Sequence, residues 1–257
     1  MNRRGRVAQA NPTRQDAGEP TVAAPDLMAV ADPDLRAALD GILEARRSTA
    51  ASRSVLVAVT GIDGCGKGWI TARLVQALSE RGVRAAGINI DGWLNLPQVR
   101  FASEDPAENF YLNAIRFDEM FARLVLPLRD RRSIRVEADY AEETATEYRK
   151  HVYEFEDVDV ILLEGIYLLK EKLRSHYDLS LWIDCSFETA LERAIARRQE
   201  GLPIGKTIRA YRTIYFSAQE IHFARDDPRA ASTGVVVNDP RLAPGRTDAL
   251  RPRRAGR

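Results

Sequence analysis

The chain of 257 residues holds only two cysteines and three histidines. Cys65 and Cys185 are too few for a disulfide framework, and neither stands in a C-x-x-C pair, so a reducing compartment fits. His151, His176 and His222 are scattered, without the close spacing that helps build a zinc site. No run of about 18 apolar residues exists, which excludes a hydrophobic helical span. The first 25 residues lack the charged-then-apolar order of a secretory signal, and Asp16 and Glu19 argue against an organellar transit segment. The expectation is a cytoplasmic protein without a membrane partner.

Net charge is also scarce, at +1, but it is unevenly spread: residues 1–25 carry +2, residues 241–257 carry +5, and the remainder is about −6. An acidic core excludes a general nucleic-acid platform, which spreads basic residues over the folded surface. No nucleic-acid partner is expected, and a phosphate ligand requires a focused local site. The two basic ends have little to build a core from and read as disordered tails. The stretch 26–240, in a chain that is 45% hydrophobic, is long enough for one substantial domain.

Within it, two periodicities alternate. Asp32-Pro33 supplies a cap and a first-turn proline for a helix with Leu35, Leu39, Ile42 and Leu43 at helical spacing. "SVLVAV" (54–59) is a short apolar run suited to a strand covered on both faces, and Leu74, Val75 and Leu78 mark the helix that follows. "RAAGINI" (84–90) is a second strand, ending on Asp91. Phe117, Met120, Phe121, Leu124, Val125 and Leu128 mark another helix, bent or ended by Pro127. "SIRVEADY" (133–140) alternates with period two, and "HVYEF" (151–155) is its candidate hairpin partner, giving a small side lobe over 133–157. "VDVILLEG" (158–165), "LSLWIDC" (179–185) and "GVVVN" (234–238) complete the strands, with helices from Phe187 and through Ala210 to Phe223. Strands alternating with helices imply an α/β domain with a mostly parallel sheet.

The chemistry begins at "VTGIDGCGKGWI" (59–70). Gly61, Asp63, Gly64, Cys65, Gly66 and Lys67 satisfy G-x-x-x-x-G-K, between an apolar strand and an amphipathic helix. Glycines let the backbone aim consecutive amides at one point, the helix N-terminus adds positive potential there, and Lys67 supplies a cation for the β and γ phosphates. Gly68 stands where a Ser or Thr would ligate Mg²⁺, and Thr71 is too far along the helix to replace it. Mg²⁺ accepts water in place of a protein ligand, so weaker metal affinity is expected. Cys65 reads as a small turn residue, and Trp69 as an aromatic packed on the first helical turn.

Ligands of open parallel sheets gather at the carboxyl ends of the strands. Asp91 and Glu164 hold that position on two strands, where Asp91 suits a base for an acceptor hydroxyl and Glu164 a metal ligand; capping or turn roles stay open for both, above all for Asp91 before Gly92. On "SFETALERAIARRQ", Arg193 and Arg197 are four apart opposite a stripe of Phe187, Ala190, Leu191, Ala194 and Ile195. They suit a lid closing over a transferring phosphoryl group, or ordinary surface pairing with Glu200.

In this order, the loop, Asp91, "ILLEGIYLL" and the arginine helix resemble the uridine kinase and phosphoribulokinase group of P-loop kinases over roughly residues 54–240. The resemblance implies a P-loop kinase-type α/β fold with a five-stranded, mostly parallel sheet flanked by helices, a lid over 187–223, and ATP and Mg²⁺ as co-substrates. It implies Asp91 as the base, Glu164 near the metal, and Arg193 and Arg197 as lid arginines. It also implies an acceptor pocket lined by Tyr140, Arg149 and His151. Three departures stand out: Gly68; "NFY" (109–111), where uridine kinases have an Asn-Phe-Asp that helps hold the ribose; and Gly201-Leu202, which interrupt the lid's basic pattern. The expectation is an ATP-dependent kinase for a small-molecule hydroxyl, with uridine or a related nucleoside as first acceptor. A sugar phosphate, a pantothenate-like alcohol, or a nucleotide-binding module without turnover are the alternatives.

Overall fold

The computed structural model describes residues 32–198 and 203–242; the expectations for residues 1–25, for Glu200 and Gly201-Leu202, and for the chain beyond Leu242 lie outside them. Five strands form one sheet: β1 (Val55–Gly61), β2 (Ala85–Asn89), β5 (Val160–Gly165), β6 (Leu179–Asp184) and β7 (Gly234–Val237), in the order β2-β5-β1-β6-β7. Every neighbouring pair is parallel. The central strand β1 is buried along its whole length, which is why it reads as a continuous apolar run and not as an alternation. β3 (Ile134–Tyr140) and β4 (Arg149–Phe155) form a separate antiparallel hairpin, with Tyr140 opposite Arg149 and Ala138 opposite His151.

Helix α1 (Pro33–Ser48) starts as expected, with the Asp32 carboxylate accepting from the amides of Asp34 and Leu35. Helix α2 (Lys67–Ser79) leaves the loop after β1, and α3 (Pro106–Asn113) is capped by Asp105. The next helix, α4, runs through Phe117–Met120, a π turn at Phe121–Val125, and Leu126–Arg131. Pro127 therefore does not end it. A proline removes an amide donor and crowds the preceding turn, and the wider π turn absorbs that mismatch one turn early. Helix α5 (Phe187–Arg197) follows β6, and α6 joins Ile204–Ala210, a π turn at Tyr211–Tyr215, and Phe216–Asp226.

Two glycines allow elements to approach closely where the site forms. A Cβ on Gly165 would lie 2.1 Å from Ile90 Cδ1, and one on Gly92 would lie 2.7 Å from Tyr140 Cε2 and 2.8 Å from Tyr153 Oη. The first closes the end of β2 onto β5; the second brings the hairpin onto the end of β2. Arg241 is also held by the fold, paired to Glu192 at 2.7 Å, so the folded region extends just past 240.

Candidate active site

The strand order decides what the sequence left open. β5 lies between β2 and β1, so the acidic ends of β2 and β5 and the glycine loop of β1 share one edge of the sheet. Asn89 pairs in register with Glu164, and Val59 pairs with Glu164 from the other side. Asp91 stands just past β2, in a one-turn 3₁₀ helix (Ile90–Gly92), its amide donating to the Asn89 side chain at 2.6 Å.

The loop is a concave run of backbone. Gly64 and Gly66 have φ of 79° and 91°, a region that favours glycine. Lys67, Gly68 and Trp69 open α2, and no side chain caps it, so their amides have no intrahelical carbonyl to donate to. Lys67 is buried, with Nζ donating to the Ile62 carbonyl at 2.9 Å. Burial opposes its charge, but Cys65, Asp63, Glu164 and Asp91 outweigh it and raise its pKa. The ammonium thus stays charged at the focus of three carboxylates. Trp69, on the first turn of α2, is 43% exposed, with the Arg73 guanidinium 4.6 Å from its ring centre.

Gly68 faces Glu164. A Cβ there would lie 3.6 Å from Glu164 Oε2, an ordinary contact, so the missing hydroxyl leaves space directly beside this carboxylate. Burial pushes the Glu164 pKa up to about 7, Lys67 pulls against it, and Asp91 pushes further. Asn89 Nδ2 donates to Oε2 at 3.2 Å. The Asp91 pKa is also raised by desolvation, against the pull of Lys67 and Asn89, although part of its surface meets solvent. Two crowded carboxylates beside a lysine and an open amide cradle suit a divalent cation carried in with phosphates. Thr71 plays no part, being buried with its methyl group against β2.

The two arginines of α5 do different things. Arg197 is exposed and exerts its pull on Asp91 and Glu164. Arg193, expected beside it over a phosphoryl group, instead turns under the loop: Nη1 donates to the Cys65 carbonyl at 3.1 Å and the Asn238 carbonyl at 2.9 Å. Helical spacing placed both on one helix, but the closeness of α5 to the loop gives Arg193 backbone partners that spacing alone does not reveal.

On the other side of Asp91 lies the hairpin. Tyr140, His151, Tyr153 and Trp93 form a ladder, with ring centres 5.2, 4.5 and 5.5 Å apart in turn. The Arg149 guanidinium lies 4.5 Å from the Tyr140 ring and pairs with Glu142 at 2.8 Å. Tyr140 and His151 are half-buried and Arg149 is exposed. Burial, with Arg149 next, lowers the His151 pKa, which favours a neutral imidazole at pH 7.

One residue near the site was not singled out by sequence reasoning, and one that was is used differently. Arg100 is 1% exposed, donates from Nη2 to the Glu143 carbonyl, and has an unpartnered Nε; it fastens the hairpin's connecting segment and contributes charge near Asp91. A short apolar stretch around it gave no signal. Tyr111, the departure in "NFY", is buried between α3 and α6, where its hydroxyl donates to Asp226 Oδ2 at 2.5 Å, the same oxygen that lies 2.7 Å from His222 Nδ1. Against desolvation, these hydrogen bonds hold Asp226 at about 2. Tyr111 is therefore committed to packing two helices together and supplies no carboxylate to a ligand.

Comparison with known proteins agrees with this fold. The chain resembles the solved structure of a possible uridine kinase from Bacillus stearothermophilus (16% identity, TM-score 0.60, covering 78% of this chain and 98% of the other). It is equally close to a candidate fructose transport system kinase from Silicibacter sp. TM1040 (21%, 0.60, 80% and 97%). D-glycerate 3-kinase from Cryptococcus neoformans follows (12%, 0.57, 80% and 95%). At these identities the likeness is one of fold. No curated protein matches in sequence. A family model does match residues 56–201, more than half of the chain, and spans β1 to the end of α5. With its loop, its sheet order and this match, the chain belongs to the Phosphoribulokinase / Uridine kinase family of P-loop kinases.

Proposed function

We propose that the protein transfers the γ-phosphoryl group of ATP to a hydroxyl of a small molecule held between Asp91 and the hairpin. One observation carries the reading: Asp91, just past the end of β2, and Glu164, at the end of the neighbouring β5, stand beside the amide cradle, so phosphates and an incoming alcohol can meet within one cleft. The amides of Gly66 to Trp69 and the Lys67 ammonium hold the phosphates, and Arg197 adds positive charge on the open side. Asp91 orients the hydroxyl and accepts its proton. Desolvation raises its pKa above the ordinary carboxylate value, which makes it a better base than an exposed carboxylate. Glu164, with Asp91 beside it, would hold Mg²⁺, which would neutralise phosphate charge when bound. Among the described residues no three acidic, His or Cys side chains form a cage for a metal on their own, in keeping with an ion carried mainly by nucleotide phosphates.

A nucleoside such as uridine is the leading acceptor, because the Tyr140 and His151 rings offer a half-buried aromatic face for a planar base. Tyr111 supports a second reading. With its hydroxyl committed to Asp226, that position offers no carboxylate for a ribose, which favours a non-nucleoside alcohol. A panel of nucleosides, sugars, sugar phosphates, glycerate and pantothenate, incubated with ATP and Mg²⁺ and read by product mass, decides between them. Phosphorylated uridine or cytidine supports the first reading, and product only from a non-nucleoside supports the second. ATP bound with no product from any acceptor would defeat both.

A further inference from the structure

The carbonyl of Cys65 is held by two side chains from outside the loop. Arg193 Nη1 donates to it at 3.1 Å and Asn238 Nδ2 at 2.7 Å. Asn238 follows β7, and its own amide donates to the Asp184 carbonyl at 2.9 Å, continuing the sheet by one residue. Arg193 also donates to the Asn238 carbonyl at 2.9 Å. The loop is thus gripped from behind by α5 and by the residue that ends the last strand, and the two grips are joined to each other.

A trans peptide unit is planar, with its N–H pointing opposite to its C=O. Fixing the Cys65 carbonyl toward Arg193 and Asn238 therefore turns the amide of Gly66 the other way, into the cradle. Contact is close on this side: a Cβ on Gly66 would lie 2.3 Å from Asn238 Nδ2, and one on Gly64 would lie 2.5 Å from the Ala190 carbonyl oxygen. Both glycines sit in the left-handed region, so a peptide flip at either is the cheapest rearrangement open to the loop. The bonds to the Cys65 carbonyl oppose that flip.

We propose that Asn238, together with Arg193, is a positioning residue for phosphate binding: it sets the Cys65–Gly66 peptide plane and so pre-orients the Gly66 amide. The inference rests on the nucleotide-binding reading of the loop and assigns a task to a residue far from it in sequence. Asn238→Asp keeps the shape, removes both N–H donors and sets a carboxylate against a carbonyl. Asn238→Ala simply removes the brace, and Arg193→Lys keeps the charge without the fork.

The test is the affinity for ATP and for inorganic tripolyphosphate, by calorimetry on the full chain with Mg²⁺, alongside thermal melting without ligand. Expected losses for both ligands are about 30-fold in Asn238→Asp and about 10-fold in Asn238→Ala, the latter equivalent to about 1.4 kcal/mol, with a smaller loss in Arg193→Lys. Equal losses for the two ligands identify the phosphates as the part affected. Unchanged affinity in folded Asn238→Asp and Asn238→Ala overturns the proposal, as does a loss confined to ATP, which would make Asn238 a base contact. Should Asn238→Asp not fold, Asn238→Ala and Arg193→Lys decide alone. An unaltered chain that binds neither ligand defeats the nucleotide reading, and this one with it.

Discussion

The two sides of the cleft, which the proposed function assigns to phosphates and to the acceptor, are built from different materials. On the phosphate side the working groups are backbone amides, set by two left-handed glycines and backed by Ala190, Arg193 and Asn238. On the acceptor side they are side chains of a two-stranded hairpin, half-buried or exposed, with a solvent-facing ion pair between Arg149 and Glu142. Backbone groups wedged against backbone tolerate almost no substitution, whereas side chains on a small hairpin can be exchanged without rebuilding the sheet. Under the proposed function, the difference assigns phosphoryl donation to the fold and acceptor choice to the lobe, as expected where one scaffold serves several substrates.

The sharpest break between the two sides is at Asp91. Asp91→Asn is expected to lower turnover by ~10²-fold or more, the scale of a positioned base, while ATP affinity stays within a few-fold of the unaltered chain. Turnover that stays unchanged would take Asp91 out of the mechanism. Next in size is Gly66→Ala. A left-handed non-glycine residue costs roughly 1–3 kcal/mol, and here the added methyl also strikes Asn238, so ATP affinity should drop by about 10-fold to 100-fold, read by calorimetry. Binding equal to the unaltered chain would show that the loop has another shape.

The acceptor side should respond separately. Tyr140→Leu or His151→Ala is expected to raise KM for the acceptor by roughly 3-fold to 10-fold, the worth of about 1 kcal/mol of ring contact, with KM for ATP unchanged. A shift in KM for ATP of the same size would erase the distinction between the two sides.

A smaller effect is expected at Glu164, read as stability against pH. Its folded pKa of about 7 lies above the ordinary carboxylate value of 4.5, so between those limits the folded chain holds more protons than the unfolded one. Stability on this account falls as pH rises through the window, and the penalty is complete above pH 7. Glu164→Gln, which can still accept from Asn89, should flatten the slope and raise Tm above pH 7, by an upper bound of roughly 7–14 °C. A melting curve that keeps its slope would show that Glu164 titrates normally. Smallest of all is Gly68→Ser. With 3.6 Å available for the Cβ, it should fold normally and lower the Mg²⁺ concentration needed for half-maximal activity by a few-fold. An unchanged Mg²⁺ dependence would place the ion away from residue 68.

Much of this was legible in the linear chain, for physical reasons that differ by element. Each buried strand announces itself by a short apolar run, because both faces of a parallel sheet are covered. The phosphate loop is readable because its function needs glycines at fixed spacing between a strand and a helix, all local constraints. Asp32 as a cap and the hairpin of 134–155 are local as well. Where the linear chain left alternatives open or gave no signal, the folded chain supplied the rest. Pro127 does not stop α4, because a π turn accommodates it. Arg193, four residues from Arg197, leaves its neighbour for the Cys65 carbonyl, and Arg100 and Asn238 carry no motif at all.

By itself, then, the sequence determined the elements, their α/β alternation and the chemistry of the loop, since hydrophobic period and glycine spacing act within a few residues of themselves. Tertiary structure alone decided that β5 lies between β2 and β1, so that Asp91, Glu164 and the amide cradle share one edge. It also decided which side chains close on that edge from α5, β7 and the hairpin. Strand order and long-range contacts come from packing apolar faces across the whole domain, and no window of sequence contains that sum.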